Sequence, residues 1–137
     1  MRVVVDTNVI AYYLLRTEPH YDEARRFWRQ VTEPIAPSLW QAELANAVWG
    51  VTRAGILEPA EALLRLRLAS RLDVESVANQ ELWEGALARA LAADHPVYDT
   101  LFVELAARES APLCSFDQRL LRAFPKIAHR PKALVTP

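Results

Sequence analysis

The sequence predicts one α/β domain in which a central parallel sheet of four to five short strands is flanked by helices. Residues 2–5 and 112–116 are runs that are apolar apart from Arg2 and Ser115 and show no polar alternation, which is typical of strands buried on both faces. Helical patterns separate the strand candidates, and such an order favours a parallel sheet covered on both faces. The chain has 137 residues and no long linker, so we expect a single domain over residues 1–137.

The predicted elements follow one another with short connections. Residues 2–5 form the first strand, and Asp6, Thr7 and Asn8 can cap a helix that begins near Val9. The remaining predicted elements are, in order, a helix from Pro19 to Val31, a strand at 35–37, a helix capped by Ser38 that ends near Gly55, a helix at 60–72, a strand at 73–77, helices at 79–92 and 99–108, a strand at 112–116, a helix at 117–124 and a strand at 133–136.

Composition places the chain among ordinary globular proteins, with 52% hydrophobic and 24% charged residues. The net charge of −1 means that any contact with nucleic acid has to rely on a local basic patch. Cys114 is the only cysteine, which excludes an intrachain disulfide and favours a reducing compartment. The sequence shows neither a signal-peptide pattern nor an apolar run long enough to cross a bilayer, so we expect a cytoplasmic protein without membrane contact.

Four acidic residues are candidates for one functional site. Asp6, Asp99 and Asp117 each follow a short apolar run and directly precede a helix. Because the carboxyl ends of parallel strands line one crevice, these aspartates are expected to meet there. Glu43 is the fourth candidate, since at about 100° per residue it lies at the margin of the apolar stripe of the third helix. Taken singly, each aspartate is also explained as a helix cap, and Glu43 as a partly exposed helical residue.

Carboxylates that lie this close together need a compensating interaction. Two unit charges ~4 Å apart repel by about 4 kcal/mol at an effective dielectric constant near 20. Either some of the acids take up protons and their pKa values rise, or a cation neutralises them. Oxygen ligands without a cysteine or histidine cluster favour Mg²⁺ or Mn²⁺ over zinc, and such ions serve phosphodiester hydrolysis.

The motifs around these acids form a familiar series. They are Val-Val-Val-Asp-Thr-Asn-Val at 3–9, Ser-Leu-Trp-Gln-Ala-Glu-Leu at 38–44, Tyr-Asp-Thr-Leu-Phe-Val-Glu-Leu-Ala at 98–106 and Cys-Ser-Phe-Asp at 114–117. In order and spacing, over essentially the whole chain, they resemble the PIN-domain ribonucleases, in particular the VapC-type toxins of bacterial and archaeal toxin–antitoxin pairs.

The resemblance implies a PIN-like, Rossmann-like domain that is an Mg²⁺- or Mn²⁺-dependent endoribonuclease, the toxin of a VapBC pair. It also implies an RNA substrate, a homodimer and inhibition by a cognate VapB-like antitoxin. In this family the acids would be catalytic metal ligands, directly or through water, and nearby polar groups would orient them. The implied ligands are Asp6, Glu43, Asp99 and Asp117, and the implied supporting residues are Thr7, Asn8 and Ser115.

Other residues have less specific interpretations. Five basic residues and no acid follow Gln118, and Arg119 is the candidate for RNA contact, although a solvated tail explains the segment equally well. His95 and His129 have no orienting neighbour in the sequence, and neither is expected to act in acid–base chemistry. Trp49 lies opposite the apolar stripe of its helix and is either an interface anchor or covered by another helix.

Three alternative functions remain to be weighed. A phosphatase of the haloacid dehalogenase type needs a second aspartate two residues after Asp6, where this chain has Asn8. A response-regulator receiver domain needs an acidic pair at the end of its first strand and a later lysine, and the only lysines are Lys126 and Lys132. A metal-binding PIN-like module without nuclease activity, acting through protein–protein interaction, is the alternative from another functional class.

Overall fold

The computed structural model describes residues 1–137 and contains one five-stranded sheet in which every strand pair is parallel. The strands are β1 (Arg2–Val5), β2 (Glu33–Pro37), β3 (Glu75–Val77), β4 (Leu113–Cys114) and β5 (Ala128–His129). The helices are α1 (Thr7–Leu14), α2 (Tyr21–Gln30), α3 (Leu39–Arg53), α4 (Pro59–Leu68), α5 (Trp83–Ala93), α6 (Val97–Glu109), α7 (Gln118–Ala123) and α8 (Pro131–Leu134), with short 3₁₀ helices at Ala69–Leu72 and Asn79–Glu81. The predicted α/β fold with a parallel sheet is confirmed.

The central strand β1 explains why the sheet is covered on both faces. Val3, Val4 and Val5 are all fully buried, as the unbroken apolar run predicts. Val4 pairs with Ile35 of β2 on one side and with Leu113 of β4 on the other. A core of 28 buried residues surrounds this strand.

The strand order determines where a ligand can bind. The order is β3-β2-β1-β4-β5, so the chain extends from β1 to one side and then returns to build the other. This reversal places a topological switch point between β1 and β4. In open parallel sheets the crevice beyond the carboxyl ends of such strands is the usual ligand site.

The prediction of a strand at 133–136 is wrong, because its first two residues end helix α8 and the segment pairs with no strand of the sheet. Pro131 starts this helix, a position where its missing N–H costs no hydrogen bond. The last strand is β5, which ends at His129, before the predicted segment begins. The backbone N–H of Ser115 donates to the carbonyl of His129.

Several helix starts also differ from the expectation: the helices predicted from 79 and 99 begin at Trp83 and Val97, so Asp99 lies inside its helix and not before it. Helix α2 begins at Tyr21, two residues after Pro19.

Ser38 does not cap α3 with its side chain; the amide oxygen of Asn79 accepts the hydrogen bond from the backbone N–H of Leu39 at 3.0 Å. A residue 40 positions away therefore provides the cap, which no local pattern predicts.

None of the helices combines the length and the apolar character that a membrane span requires.

Candidate active site

One cavity of about 300 Å³ at the carboxyl edge of the sheet collects the predicted acids. Its lining combines acidic, polar and aromatic side chains from α1, α3 and α6 and from the segments that follow β1 and β4. The lining residues are Asp6, Thr7, Asn8, Ala11, Tyr12, Glu43, Ala47, Asp99 and Asp117. No three of these acids converge closely enough to form a closed metal cage. The structure thus brings the four candidate acids, Thr7 and Asn8 to one place.

Asp6 follows β1 and is both a helix cap and a buried acid. Its Oδ1 accepts a hydrogen bond from the backbone N–H of Thr7 at 2.8 Å, and its Oδ2 accepts one from the hydroxyl of Ser115 at 2.7 Å. Only 7% of the residue is exposed. Burial raises the pKa of Asp6 to about 7, and the charges of Asp99 and Glu43 add to the rise, while the hydrogen bonds from Ser115 and Thr7 oppose it.

Glu43 reaches the cavity from the second turn of α3. The stripe of buried residues on this helix includes Trp40, Leu44 and Val48, and Glu43 lies beside it, half-buried. The hydroxyl of Thr7 donates to Oε1 of Glu43 at 2.7 Å. Burial raises the pKa of Glu43, the Thr7 hydrogen bond opposes this rise, and the negative charge of Asp99 adds to it.

Asp99 lies in the first turn of α6 and does not cap it, because no backbone N–H donates to its carboxylate. Its Oδ2 lies 2.8 Å from Nε2 of His95. The His95 ring is buried and packs edge-on against Phe124. The sequence analysis found no neighbour that orients His95, whereas in the structure His95 has Asp99 as its partner. Its spacing of four residues from Asp99, across the start of a helix, was the available indication.

Asp117 and Ser115 extend the hydrogen-bond network from β4. The backbone N–H groups of Arg119 and Leu120 donate to Oδ1 of Asp117, so this residue caps α7, and Oδ2 receives no hydrogen bond from the protein. Ser115 accepts from the Asp117 backbone N–H at 3.0 Å while its hydroxyl donates to Asp6. Asp117 is thus both a helix cap and a member of the acid cluster that lines the cavity.

Asn8 links the two strand ends that carry aspartates. Its amide nitrogen lies 3.3 Å from Oδ2 of Asp6 and 3.4 Å from the Ser115 hydroxyl oxygen, and its amide oxygen accepts from the backbone N–H of Phe116 at 3.1 Å. Asn8 and Ser115 therefore hold the Asp6 carboxylate between β1 and β4.

The basic residues near the cavity leave its charge uncompensated. Arg119 is exposed, and its guanidinium donates to the backbone oxygen of Asp94 at 3.3 Å. Arg130, from the same basic segment, forms an ion pair with Glu23 at 2.7 Å. None of the four acids forms an ion pair with a lysine or an arginine; Asp99 alone has a partner, His95.

The donor set fits a hard divalent cation. All the candidate ligands are carboxylate oxygens, which Mg²⁺ and Mn²⁺ prefer. Mg²⁺ keeps several of its waters and binds through one or two carboxylates, so it does not need a closed cage. The raised pKa of Asp6 also shows that this cavity disfavours uncompensated negative charge.

Comparison with known proteins identifies the family. A sequence model of the PIN domain matches residues 3–126. The chain belongs to the PIN-domain family. Ribonuclease VapC3 from Pyrobaculum aerophilum is 34% identical to this PIN domain over 141 aligned positions that cover all of both chains. The resemblance to VapC-type proteins is thereby confirmed, and the phosphatase and receiver-domain alternatives are excluded.

Solved structures share the fold at lower identity. The crystal structure of PAE2754 from Pyrobaculum aerophilum has a TM-score of 0.77 at 22% identity, covering 98% of this PIN domain and 92% of that chain. A toxin–antitoxin complex from Klebsiella pneumoniae has a TM-score of 0.65 at 15% identity, covering 94% of this chain and 97% of that one.

Proposed function

We propose that this PIN domain is an Mg²⁺- or Mn²⁺-dependent endoribonuclease and the toxin of a VapBC-type pair. The observation that carries the proposal is a single cavity lined by Asp6, Glu43, Asp99 and Asp117, in which no lysine or arginine neutralises the acids. The relationship to a ribonuclease supports RNA as the substrate.

The four acids are proposed to hold the cation, either directly or through its waters. When bound, the cation would supply positive charge that promotes ionisation of a water molecule and stabilises charge on the phosphate oxygens. Thr7, Asn8 and Ser115 keep the carboxylates of Glu43 and Asp6 oriented before any ligand arrives. Arg119 is proposed to contact the RNA backbone beside Asp117, which would offset the negative potential of the cavity.

Metal-dependent cleavage of RNA by the purified protein is the direct test. We expect cleavage of a structured RNA with Mg²⁺ or Mn²⁺ that stops when EDTA is added. Asp6→Asn and Asp99→Asn should each lower the rate by ~100-fold or more, as loss of a group acting on the developing charge commonly does. The matched control is Asp22→Asn, since Asp22 is exposed on α2 and outside the cavity.

Two outcomes would contradict the proposal in different ways. Full cleavage by both site variants would exclude the four-acid site while leaving a nuclease in place. A folded wild-type protein that binds Mn²⁺ and cleaves no RNA would favour the alternative, a metal-binding PIN-like module that acts through protein partners.

We also propose two protein partners, a VapB-like antitoxin and a second copy of this chain. The toxin–antitoxin complex with the same fold supports the first. A concave apolar surface between α3 and α4 suits an antitoxin segment, because it joins two cavities of about 480 and 320 Å³, and Trp49, which is 56% exposed, lines the smaller one. The sole cysteine, Cys114, is buried and free, which is consistent with the cytoplasm as the proposed compartment.

A further inference from the structure

We propose that Tyr12, His20 and Phe116, here called the aromatic trio, form a subsite that stacks a nucleobase of single-stranded RNA beside the acid cavity. The inference rests on the proposed nuclease function and assigns a part of the substrate that the acids do not contact. The ligand class is the unpaired base of a ribonucleotide next to the phosphate that is cleaved.

The three rings come from separate parts of the chain and pack against one another. The rings of Tyr12 and His20 are stacked, with centroids 4.8 Å apart and an interplanar angle of 12°. Phe116 lies 4.8 Å from His20 and 5.3 Å from Tyr12, tilted by about 45° to both. The guanidinium of Arg130 lies 5.4 Å from the Phe116 ring, and Glu23 holds it there. The trio is therefore braced before any ligand binds.

The aromatic trio is continuous with the acid cavity. Tyr12 itself lines that cavity, one helical turn after Asn8 on α1. Phe116 lies between Ser115 and Asp117 in sequence, and its backbone N–H donates to Asn8. A nucleotide whose phosphate reached the acids would thus present a neighbouring base to the trio.

Two members of the trio keep groups available to a ligand. Tyr12 and His20 are partly exposed, whereas Phe116 is buried. No hydrogen bond within the protein uses the Tyr12 hydroxyl or the ring nitrogens of His20. These polar atoms are also absent from the buried unpaired groups, of which Arg25 Nε is the only one, so they face solvent.

The chemistry of this surface favours a base over a phosphate or an acidic peptide. The one cation in contact with the trio, Arg130, is already paired with Glu23 and does not offer a free positive charge. Aromatic side chains stack on the π-face of any base, and single-stranded segments are the ones whose bases are free to stack. The subsite should consequently require a base while tolerating its identity.

Binding of two oligonucleotides separates stacking from backbone contact. The probes are a short fluorescein-labelled single-stranded RNA and a ribose-phosphate chain of equal length without bases. Binding is measured in the Asp6→Asn protein with Mg²⁺ present, so that cleavage does not interfere. We expect His20→Ala to weaken binding of the base-bearing RNA by about tenfold and to leave the abasic chain unchanged. His20→Phe, which keeps an aromatic ring, should restore binding.

Tyr21→Ala is the matched control, because Tyr21 is the next residue and stacks on Tyr13 outside the acid cavity. It should leave both probes bound as before. In the cleavage-competent protein, His20→Ala should raise KM and change kcat little, since the acids are untouched. Thermal melting verifies that each variant is folded.

Equal weakening of both probes, or of neither, by His20→Ala would overturn the stacking subsite. So would equal effects of His20→Ala and Tyr21→Ala. If the wild-type protein cleaves no RNA but His20→Ala selectively weakens base-bearing RNA, the nuclease proposal fails and the subsite stands. If cleavage is metal-dependent and His20→Ala changes neither RNA binding nor KM, the subsite fails and the nuclease proposal stands.

Discussion

Asp6 combines two roles that are usually separate, since it caps α1 and lies buried among other acids. The side-chain oxygen of a helix cap accepts a backbone hydrogen bond whether it belongs to an ionised carboxylate or to an amide. Burial beside Glu43 and Asp99, in contrast, disfavours the ionised form of Asp6. These two effects can be separated experimentally, because asparagine keeps the capping oxygen and removes the charge.

Asp6→Asn is expected to change how stability depends on pH in the absence of divalent cations. The folded pKa of about 7 is above the ordinary value of 3.8, so between these limits the folded protein holds a proton that the unfolded chain releases. The free energy of unfolding of the wild type therefore falls as pH rises from about 4 to about 7, and the loss is complete above 7. The variant lacks this decline and should be more stable by ~1–3 kcal/mol at pH 8.

Thermal melting in EDTA across this pH range measures the difference. The exposed Asp22→Asn variant should follow the wild type at every pH. A constant offset between Asp6→Asn and the wild type would mean that Asp6 is ionised in the folded protein throughout. A large loss of stability in Asp99→Asn would likewise contradict its assignment as a site acid that caps nothing.

His95 is expected to position Asp99 through the hydrogen bond from Nε2 to Oδ2. The glutamine in His95→Gln can place an amide N–H near the position that the histidine Nε2 occupies. The leucine in His95→Leu keeps much of the side-chain volume but has no hydrogen-bond donor. Partners that orient a metal ligand commonly affect metal affinity or activity by ~10–100-fold, so His95→Leu should weaken Mn²⁺ binding in that range. Calorimetric titration with Mn²⁺, with circular dichroism to verify folding, tests this. Failure of His95→Gln to recover affinity would point to a packing role against Phe124 instead.

Two glycines within helices differ in the space around them. A Cβ at Gly50 in α3 would have no heavy atom within 4 Å. A Cβ at Gly85 in α5 would overlap the carboxyl group of Glu104 in α6, which forms an ion pair with Arg89 of α5 at 2.9 Å and one with Arg108 of its own helix at 2.7 Å. Gly85 is thus the position at which α5 can approach α6 closely.

Gly50→Ala should stabilise the protein by about 0.5–1 kcal/mol, because alanine loses less backbone entropy in a helix. Gly85→Ala gains the same helical preference but displaces Glu104 from its two arginines, and we expect net destabilisation of ~1–2 kcal/mol. Urea unfolding of the two variants beside the wild type measures both. Stabilisation of equal size would show that the Glu104 side chain moves at no cost.

Local patterns predicted those elements whose burial is uniform or periodic. The run at 2–5 identified β1 because the three side chains after Arg2 are all apolar, and the stripe around Trp40 and Leu44 located α3. The pattern failed at 133–136, where the placement of the last strand depends on pairing with β4 and not on local preference. Likewise, the angle of Glu43 indicated the cavity, but the hydrogen bond from Thr7 depends on the packing of α1 against α3.

The acids at strand ends were predictable as a group because a parallel sheet gathers its carboxyl ends. The contact between His95 and Asp99 was indicated only by their spacing, since the burial of His95 against Phe124 involves a segment far along the chain. The aromatic trio was missed for the same reason: Phe116 lies about a hundred positions after Tyr12 and His20, and no periodicity joins the three rings.

Helix α5 turns its small apolar residues toward the domain and its large ones toward solvent. It buries Ala86 and Ala90 against the domain and exposes Trp83, Leu87 and Leu91, the last by 76%. The exposed residues recur every fourth position and therefore form one stripe. A helix that covers only its own domain would bury the large side chains, so this arrangement predicts a further cover, which we assign to the second copy in the proposed homodimer.

Leu87→Lys should consequently dissociate that homodimer. Twofold symmetry places Leu87 in the interface twice, and loss of ~1.5 kcal/mol or more from each copy raises the dissociation constant by about 100-fold or more. Leu63→Lys on α4 is the matched control, because it places the same charge on the surface between α3 and α4 and should leave the dimer intact. Light scattering at micromolar protein gives the masses. A monomeric wild type would exclude the homodimer. A dimer that only Leu63→Lys dissociates would place the dimer interface on the surface between α3 and α4 and leave α5 for another partner.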